Sequence, residues 1–271
     1  MISKNIKWFS VVFFSIHFFI SCSNSTEPEE LTAINISKIK NIQWNLVSLE
    51  TTTNNIILNN YEPFRIALLE NNIWGTDNCN FLGGNYLIND DSLVITYGGV
   101  TELGCPSFNL FPFKHLFRKP SMKMRGNKLV LINNDSTYVY YSKFTGDITT
   151  MNLLNDTLSL INSNDANISF FDSLGFYPKL ILTSERKFNI QWYNKSPENT
   201  GFINKYSGIF GVNDNKEILF TKISSAYEGN GVSIIDWQLV DRIIEATKFE
   251  INTNDLTMIN ALTNTYYKFS K

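Results

Sequence analysis

From about residue 40 onward the chain is built of short alternating apolar and polar runs separated by Asn, Asp and Gly. Residues 64–68, 93–95, 129–131, 138–140, 180–182, 188–192, 218–220, 249–251, 256–258 and 266–269 are short, apolar-rich and strand-like. Their separators are turn chemistry: Asn89-Asp90-Asp91, Gly126-Asn127, Asn133-Asn134-Asp135, Asn213-Asp214-Asn215 and Asn252-Thr253-Asn254-Asp255. Asn and Asp tolerate left-handed backbone and hydrogen-bond their own turns, as a tight hairpin requires. Gly98-Gly99 is read as one more turn. Many short strands at near-regular spacing predict an antiparallel barrel or sandwich.

One stretch departs from this period. Over residues 232–246, Ile235, Leu239, Ile243 and Ala246 fall on one helical stripe, while Asp236, Asp241, Arg242 and Glu245 cover other faces. This predicts an amphipathic helix packed on the sheet. Residues 107–120 are aromatic-rich and interrupted by Pro112, which predicts a loop or short helix.

The two halves repeat one order of events. Gly84-Asn85-Tyr86-Leu87-Ile88-Asn89-Asp90 leads into residues 93–96, and Gly208-Ile209-Phe210-Gly211-Val212-Asn213-Asp214 leads into residues 218–221. A connector follows in each, and then a closing hairpin, 129–133 into 138–141 and 256–260 into 266–269. The shared order favours duplication over chance similarity of two β-rich halves. It places one domain at 40–146 and a second at 147–271, with residues 152–175 carrying the opening strands of the second.

The first 21 residues have a different character. Lys4 and Lys7 precede an apolar run, residues 8–20, that is short for a membrane span and gives way to polar chain. It ends Phe19-Ile20-Ser21-Cys22, which resembles a bacterial lipobox: apolar residues, a small residue, then the cysteine that is alkylated and becomes the new N-terminus. The resemblance implies a signal peptide at 1–21, lipidation of Cys22 and anchoring in the bacterial envelope, with the outer membrane the expected location. Residues 22–39, opening Cys-Ser-Asn-Ser-Thr-Glu-Pro-Glu-Glu, are expected to form a flexible tether.

Composition narrows the function. Hydrophobic content of 43% supplies a core and argues against a disordered chain. Lys+Arg 23 against Asp+Glu 25 leaves no field to attract nucleic acid. Two histidines and three cysteines are too few for a His-rich metal site or a zinc ribbon. No Walker A loop and no strand–GxGxxG–helix unit is present, so no cofactor is expected.

The segment Trp74-Gly75-Thr76-Asp77-Asn78-Cys79-Asn80, followed by Gly84 and Tyr86 and then by Thr101-Glu102-Leu103-Gly104-Cys105, resembles the META domain of HslJ-like heat-shock lipoproteins. Asn78 stands where that family has Gly before the cysteine. The resemblance covers about residues 40–143; the second half is similar in layout, with Tyr193-Asn194 in place of Cys-Asn. It implies small lipocalin-like antiparallel barrels or half-barrels, a mainly β fold, and an envelope lipoprotein linked to stress with no established catalysis. Its motif residues here are Gly75, Cys79, Asn80, Gly84, Tyr86, Thr101 and Cys105.

In an exported chain with Cys22 lipidated, Cys79 and Cys105 are left to form a disulfide, worth roughly 3 kcal/mol in the loop-entropy model. Two separate buried thiols are the alternative. His115 lies among aromatics without a nucleophile-elbow Gly-x-Ser-x-Gly; packing is the stronger reading, and a hydrolase the runner-up. Asp90-Asp91 and Asp214 with Glu217 read as turn residues, since no loop has EF-hand spacing. Phe111, Phe113 and His115 could line a barrel mouth, although aromatics more often fill a small barrel's core. The expectation is a non-enzymatic lipoprotein anchored to a membrane, with envelope proteins as partners. Its rival is a carrier of a small apolar ligand.

Overall fold

The computed structural model describes residues 29–57, 64–77, 79–101, 112–173, 175–194, 202–227 and 240–271. The chain is mainly β and forms two antiparallel barrel-like sheets in tandem. The first half begins with β1 (Leu31–Ala33), α1 (Ile36–Ile39), β2 (Gln43–Thr51), β3 (Asn55–Ile57), β4 (Arg65–Leu68), β5 (Asn72–Thr76), β6 (Phe81–Asn89) and β7 (Ser92–Val100). A 3₁₀ helix, Pro112–Arg118, leads to β8 (Ser121–Arg125), β9 (Lys128–Ile132) and β10 (Ser136–Tyr141). Each strand of the series β4 to β7 pairs with the next, β8 pairs with β9 and β9 with β10. β10 then returns to β2, which pairs with β4. The ring is joined thinly between β7 and β8, through Ser92 opposite Ser121 and the bonds Leu93 N to Pro120 O and Met122 N to Asp91 O. β1 covers the rest of that edge of β8, and β3 lies against β2.

The second half repeats the ring. It comprises β11 (Thr157–Ser163), α2 (Ala166–Ser173), β12 (Phe176–Leu182), β13 (Lys187–Asn194), β14 (Phe202–Val212), β15 (Ile218–Tyr227), β16 (Lys248–Ile251), β17 (Asp255–Asn260) and β18 (Thr265–Ser270). β18 returns to β11, and β16 meets the start of β15 through the Glu217–Lys248 bridge and Ile218 N to Thr247 O at 3.1 Å. Residues 240–244, within the expected helix, are helical; residues 232–239 lie outside the described residues. Val240, Ile243 and Ala246 are buried in the second core.

Alternation decides what lies inside. Trp44, Phe64, Leu82, Leu93, Leu131 and Tyr140 fill the first ring, and Phe188, Trp192, Tyr206, Phe210, Tyr267 and Phe269 the second. All twelve are at most 5% exposed, so inward side chains take up the interior. Two turns take left-handed backbone at the Asn, Asp and Gly punctuation, Asp90 and Gly126 having φ of 55° and 59°, while after Asn213-Asp214-Asn215 the left-handed residue is Lys216, at 57°.

Three expectations change. Gly98-Gly99 is not a turn but lies inside β7, where Gly98 faces Gly84 across β6. Residues 152–175 carry one strand and a helix rather than several strands, because Asp165 caps a helix there. Part of the expected tether is folded: β1 pairs with β8, and Ile39 is buried, its apolar neighbours Ile34 and Ile36 packing on the first core.

The halves are joined by polar contacts. The Thr221 hydroxyl donates to Gln43 Oε1 at 2.7 Å, both side chains being buried. Asn41 Nδ2 donates to Glu185 O at 2.8 Å, and Thr145 in the linker forms a parallel bridge with Val212.

Candidate functional site

Of the motif residues, Gly75, Cys79, Asn80 and Thr101 lie at one end of β5, β6 and β7, and Gly84 and Tyr86 lie further along β6. Asp77, 7% exposed, ends β5 and turns the chain into β6. Its carboxylate accepts from Cys79 N at 2.9 Å, from Asn80 N, and from Asn80 Nδ2 at 3.1 Å. An Asp two residues before Cys-Asn therefore sets the bend that presents both motif residues. Thr101 closes the same end from β7: its hydroxyl accepts from Phe81 N at 2.8 Å and its own N–H donates to Phe81 O at 3.0 Å. Cys22, Cys105 and Phe111 lie outside the described residues.

Two motif glycines are demanded by close approach. A Cβ on Gly75 would meet Phe113 Cε1 and Arg65 O at 3.0 Å, so Gly75 makes room for the 3₁₀ helix against the barrel interior. A Cβ on Gly84 would meet Tyr97 O at 2.6 Å. Tyr86 points inward, and its hydroxyl donates to Leu69 O at 2.7 Å. Burial pushes that phenol up to about 12.

The 3₁₀ helix places Phe113 and His115 in the first core rather than at an open mouth; they are 4% and 2% exposed. The His115 ring stacks on Tyr138 with centroids 3.7 Å apart, and Nε2 shares a 2.9 Å hydrogen bond with the Tyr140 hydroxyl. Its Nδ1 is buried, with no hydrogen-bond partner among the described residues. Burial, helped by the nearby Arg118 charge, lowers the imidazole pKa to about 3. Burial likewise holds the Tyr140 phenol well above its ordinary value. A neutral imidazole between two phenols can pack and fix a register. Neither a hydroxyl nucleophile activated by His115 nor an orienting carboxylate is placed beside it by any described contact.

The second half carries a buried polar group that the sequence reading missed. Asp165, 6% exposed, caps α2 by accepting from Asn167 N at 3.0 Å. It also accepts from the Tyr267 hydroxyl at 3.0 Å and from Arg242 Nη1 at 3.2 Å. Burial works to raise the Asp165 pKa, but the donors from Asn167, Tyr267 and Arg242 outweigh it and hold the carboxylate below its usual range. The local signal was the Asp before Ala166; its long-range partners left no trace in the sequence.

Of the acidic turn residues, Asp91 and Glu217 are paired. Asp91 meets Lys123 at 2.7 Å and Ser121 at 3.1 Å, while Glu217 meets Lys143 at 3.2 Å. Cavities among the described residues open to solvent. One of about 250 Å³ lies beside α2, lined by Leu160, Ile168, Phe176 and Trp192. A second, about 270 Å³, lies between the halves among Lys40, Glu70, Arg186 and Lys187. A third, about 680 Å³, is bounded by Met151, Lys216 and Phe249.

No family model matches the chain, and no curated protein does. Among solved structures it is similar to a protein from Burkholderia xenovorans determined by NMR, with 16% identity and a TM-score of 0.33 over 40% of this chain and 88% of that one. It is also similar to a DUF4847 family protein from Bacteroides vulgatus, with 10% identity and a TM-score of 0.30 over 44% of this chain and 94% of that one. Neither likeness bears on function.

Proposed function

We propose that this is an exported bacterial envelope lipoprotein, anchored through Cys22, whose two META-like barrels serve a non-enzymatic structural or interaction role under envelope stress. The observation that carries the reading is the filled interior: Trp44, Phe64 and Tyr140 in one ring, and Phe188, Trp192 and Phe210 in the other, are each at most 2% exposed. The motif residues support it by the work they do, which is to set the bend between β5 and β6, join β6 to the end of β7 and bond β6 to Leu69 just after β4. The burial of His115 supports it as well, since a general base must reach a substrate proton.

The rival reading is carriage of a small apolar ligand; the cavity beside α2 gives it little support, since Asn162, Ser163 and Asp172 share its lining with Leu160 and Ile168. Two experiments separate the readings. Growth with radiolabelled palmitate labels the wild-type chain and leaves Cys22→Ser unlabelled; a wild type that takes up no label overturns the anchor. Native and denaturing mass spectrometry of the mature chain with Cys22→Ser, purified without reductant, gives a mass two protons below the reduced form and no adduct. A retained adduct transfers the assignment to the carrier, and free thiols overturn the Cys79–Cys105 pairing.

A further inference from the structure

The outer face of β5, β6 and β7 carries side chains that the fold does not explain. Tyr97 is 80% exposed and Phe81 51% exposed, and Trp74 is half-buried on the adjacent strand. The ladders fix their relation. Trp74 lies opposite Gly83 and Gly83 opposite Gly99, so a row across three strands reads Trp, Gly, Gly. The next row reads Asn72, Asn85, Tyr97. Phe81 follows Gly83 on its other side, along the same face of β6. From strand geometry, Phe81 and Tyr97 stand about 14 Å apart, with Trp74 about 12 Å from Tyr97.

The glycines between them divide sharply. Gly84 and Gly98 face each other with no room for a Cβ, at 2.6 and 3.0 Å from opposing backbone, so packing demands them. Gly83 and Gly99, on the exposed face, have nothing within 4 Å of a Cβ. Glycine inside a strand is unfavourable, and packing asks for neither of these two. What remains is a floor kept low for something to approach the backbone closely.

The chemistry of that floor and rim selects the occupant. None of the described residues on the outer face of these strands is charged: Asn72, Trp74, Phe81, Gly83, Asn85, Leu87, Tyr97 and Gly99 are all neutral. An ionic partner would find no counter-charge there. Aromatic rings offer an apolar face to the C–H face of a sugar ring, and the exposed amides of Asn72 and Asn85 offer both donors and acceptors to its hydroxyls. We propose that the shallow trough floored by Gly83 and Gly99 and rimmed by Trp74, Phe81 and Tyr97 binds a neutral oligosaccharide. This deepens the interaction role proposed above and rests on it only for the compartment in which the ligand is met.

The test is affinity electrophoresis of the mature chain with Cys22→Ser in gels containing mixed-linkage β-glucan, arabinoxylan, galactomannan or dextran. At least one of these retards the protein. Tyr97→Ala and Phe81→Ala each reduce the retardation about fivefold, and Gly83→Ile, which fills the floor at a position with room for a side chain, abolishes it with no fall in melting temperature. Free migration in all four gels overturns the proposal. So does retardation that Tyr97→Ala and Gly83→Ile leave intact. Light scattering that finds a dimer in the wild type and a monomer in Gly83→Ile also overturns it, giving the face to a second copy. A chain that palmitate fails to label yet a glycan retards overturns the anchor alone; one labelled but never retarded overturns the glycan site alone.

Discussion

Single side chains set two sharp constraints on this molecule. His115 is neutral in the folded state, with its pKa near 3, whereas an unfolded histidine titrates near 6.5. The unfolded chain therefore binds a proton that the folded chain refuses. The stability due to this residue is complete above about pH 6.5 and is lost as pH falls from there toward 3, at about 1.4 kcal/mol per pH unit. Urea denaturation at pH 7 and pH 4.5 should show wild type losing roughly 2–3 kcal/mol more than His115→Gln between the two. Equal losses would mean that the imidazole is not held neutral. Gly208 is the second constraint, because a Cβ there would stand 1.9 Å from Thr221 O and 2.7 Å from Phe188 Cε1. Backbone on one side and a fully buried ring on the other leave no room to yield, so Gly208→Ala should destabilise by about 3 kcal/mol or more. An unchanged denaturation midpoint would contradict that geometry.

Among the elements, short polar hubs hold the ends of strands and helices. Asp77 satisfies two backbone N–H groups and one amide where β5 passes into β6. Asp77→Ala leaves these donors without their acceptor and should cost about 1–3 kcal/mol in chemical denaturation. If the Cys79–Cys105 pairing holds, the same variant also slows formation of that disulfide, measured by thiol titration during refolding. Asp165 plays the corresponding part in the second half, capping α2 while binding Tyr267 and Arg242. Asp165→Ala should cost about 2 kcal/mol, and Tyr267→Phe about 1 kcal/mol. Double-mutant denaturation distinguishes a shared network from two separate bonds, since coupled losses do not add.

For the whole molecule, the question is how firmly the two rings are joined. Thr221 and Gln43 meet in a buried hydrogen bond, and the linker bonds to β14 through Gly146 N and Val212 O at 2.8 Å. Arg186 adds contacts from its left-handed position, donating to the carbonyls of Thr145 and Gly146. These contacts should make the rings unfold together in calorimetry. Thr221→Val leaves the Gln43 carbonyl oxygen buried without its donor. It should weaken the junction by about 1–2 kcal/mol and separate or broaden the transition. A single transition with unchanged width would show that the linker and the remaining contacts, Asn41 to Glu185 O among them, couple the halves without this bond.

What the sequence determined by itself is local. Strands such as 188–192 and 256–258 were legible because apolar and polar positions alternate, and turns at Asp90 and Gly126 because few residues accept those backbone angles. The matched order of strand, turn, connector and hairpin was legible for the same reason, and it agrees with two rings that close in the same strand order. Local rules also misled. Gly98-Gly99 has the composition of a turn, yet it lies within β7, because Gly98 answers to Gly84 on the neighbouring strand. Only the tertiary structure decided where His115 sits, what Asp165 binds, how Gln43 meets Thr221 and that Gly83 and Gly99 share an open face. Each of these joins residues from different strands or different halves. Their meeting depends on ring closure and register, which arise from the packing of the whole chain and leave no periodic mark on any one segment.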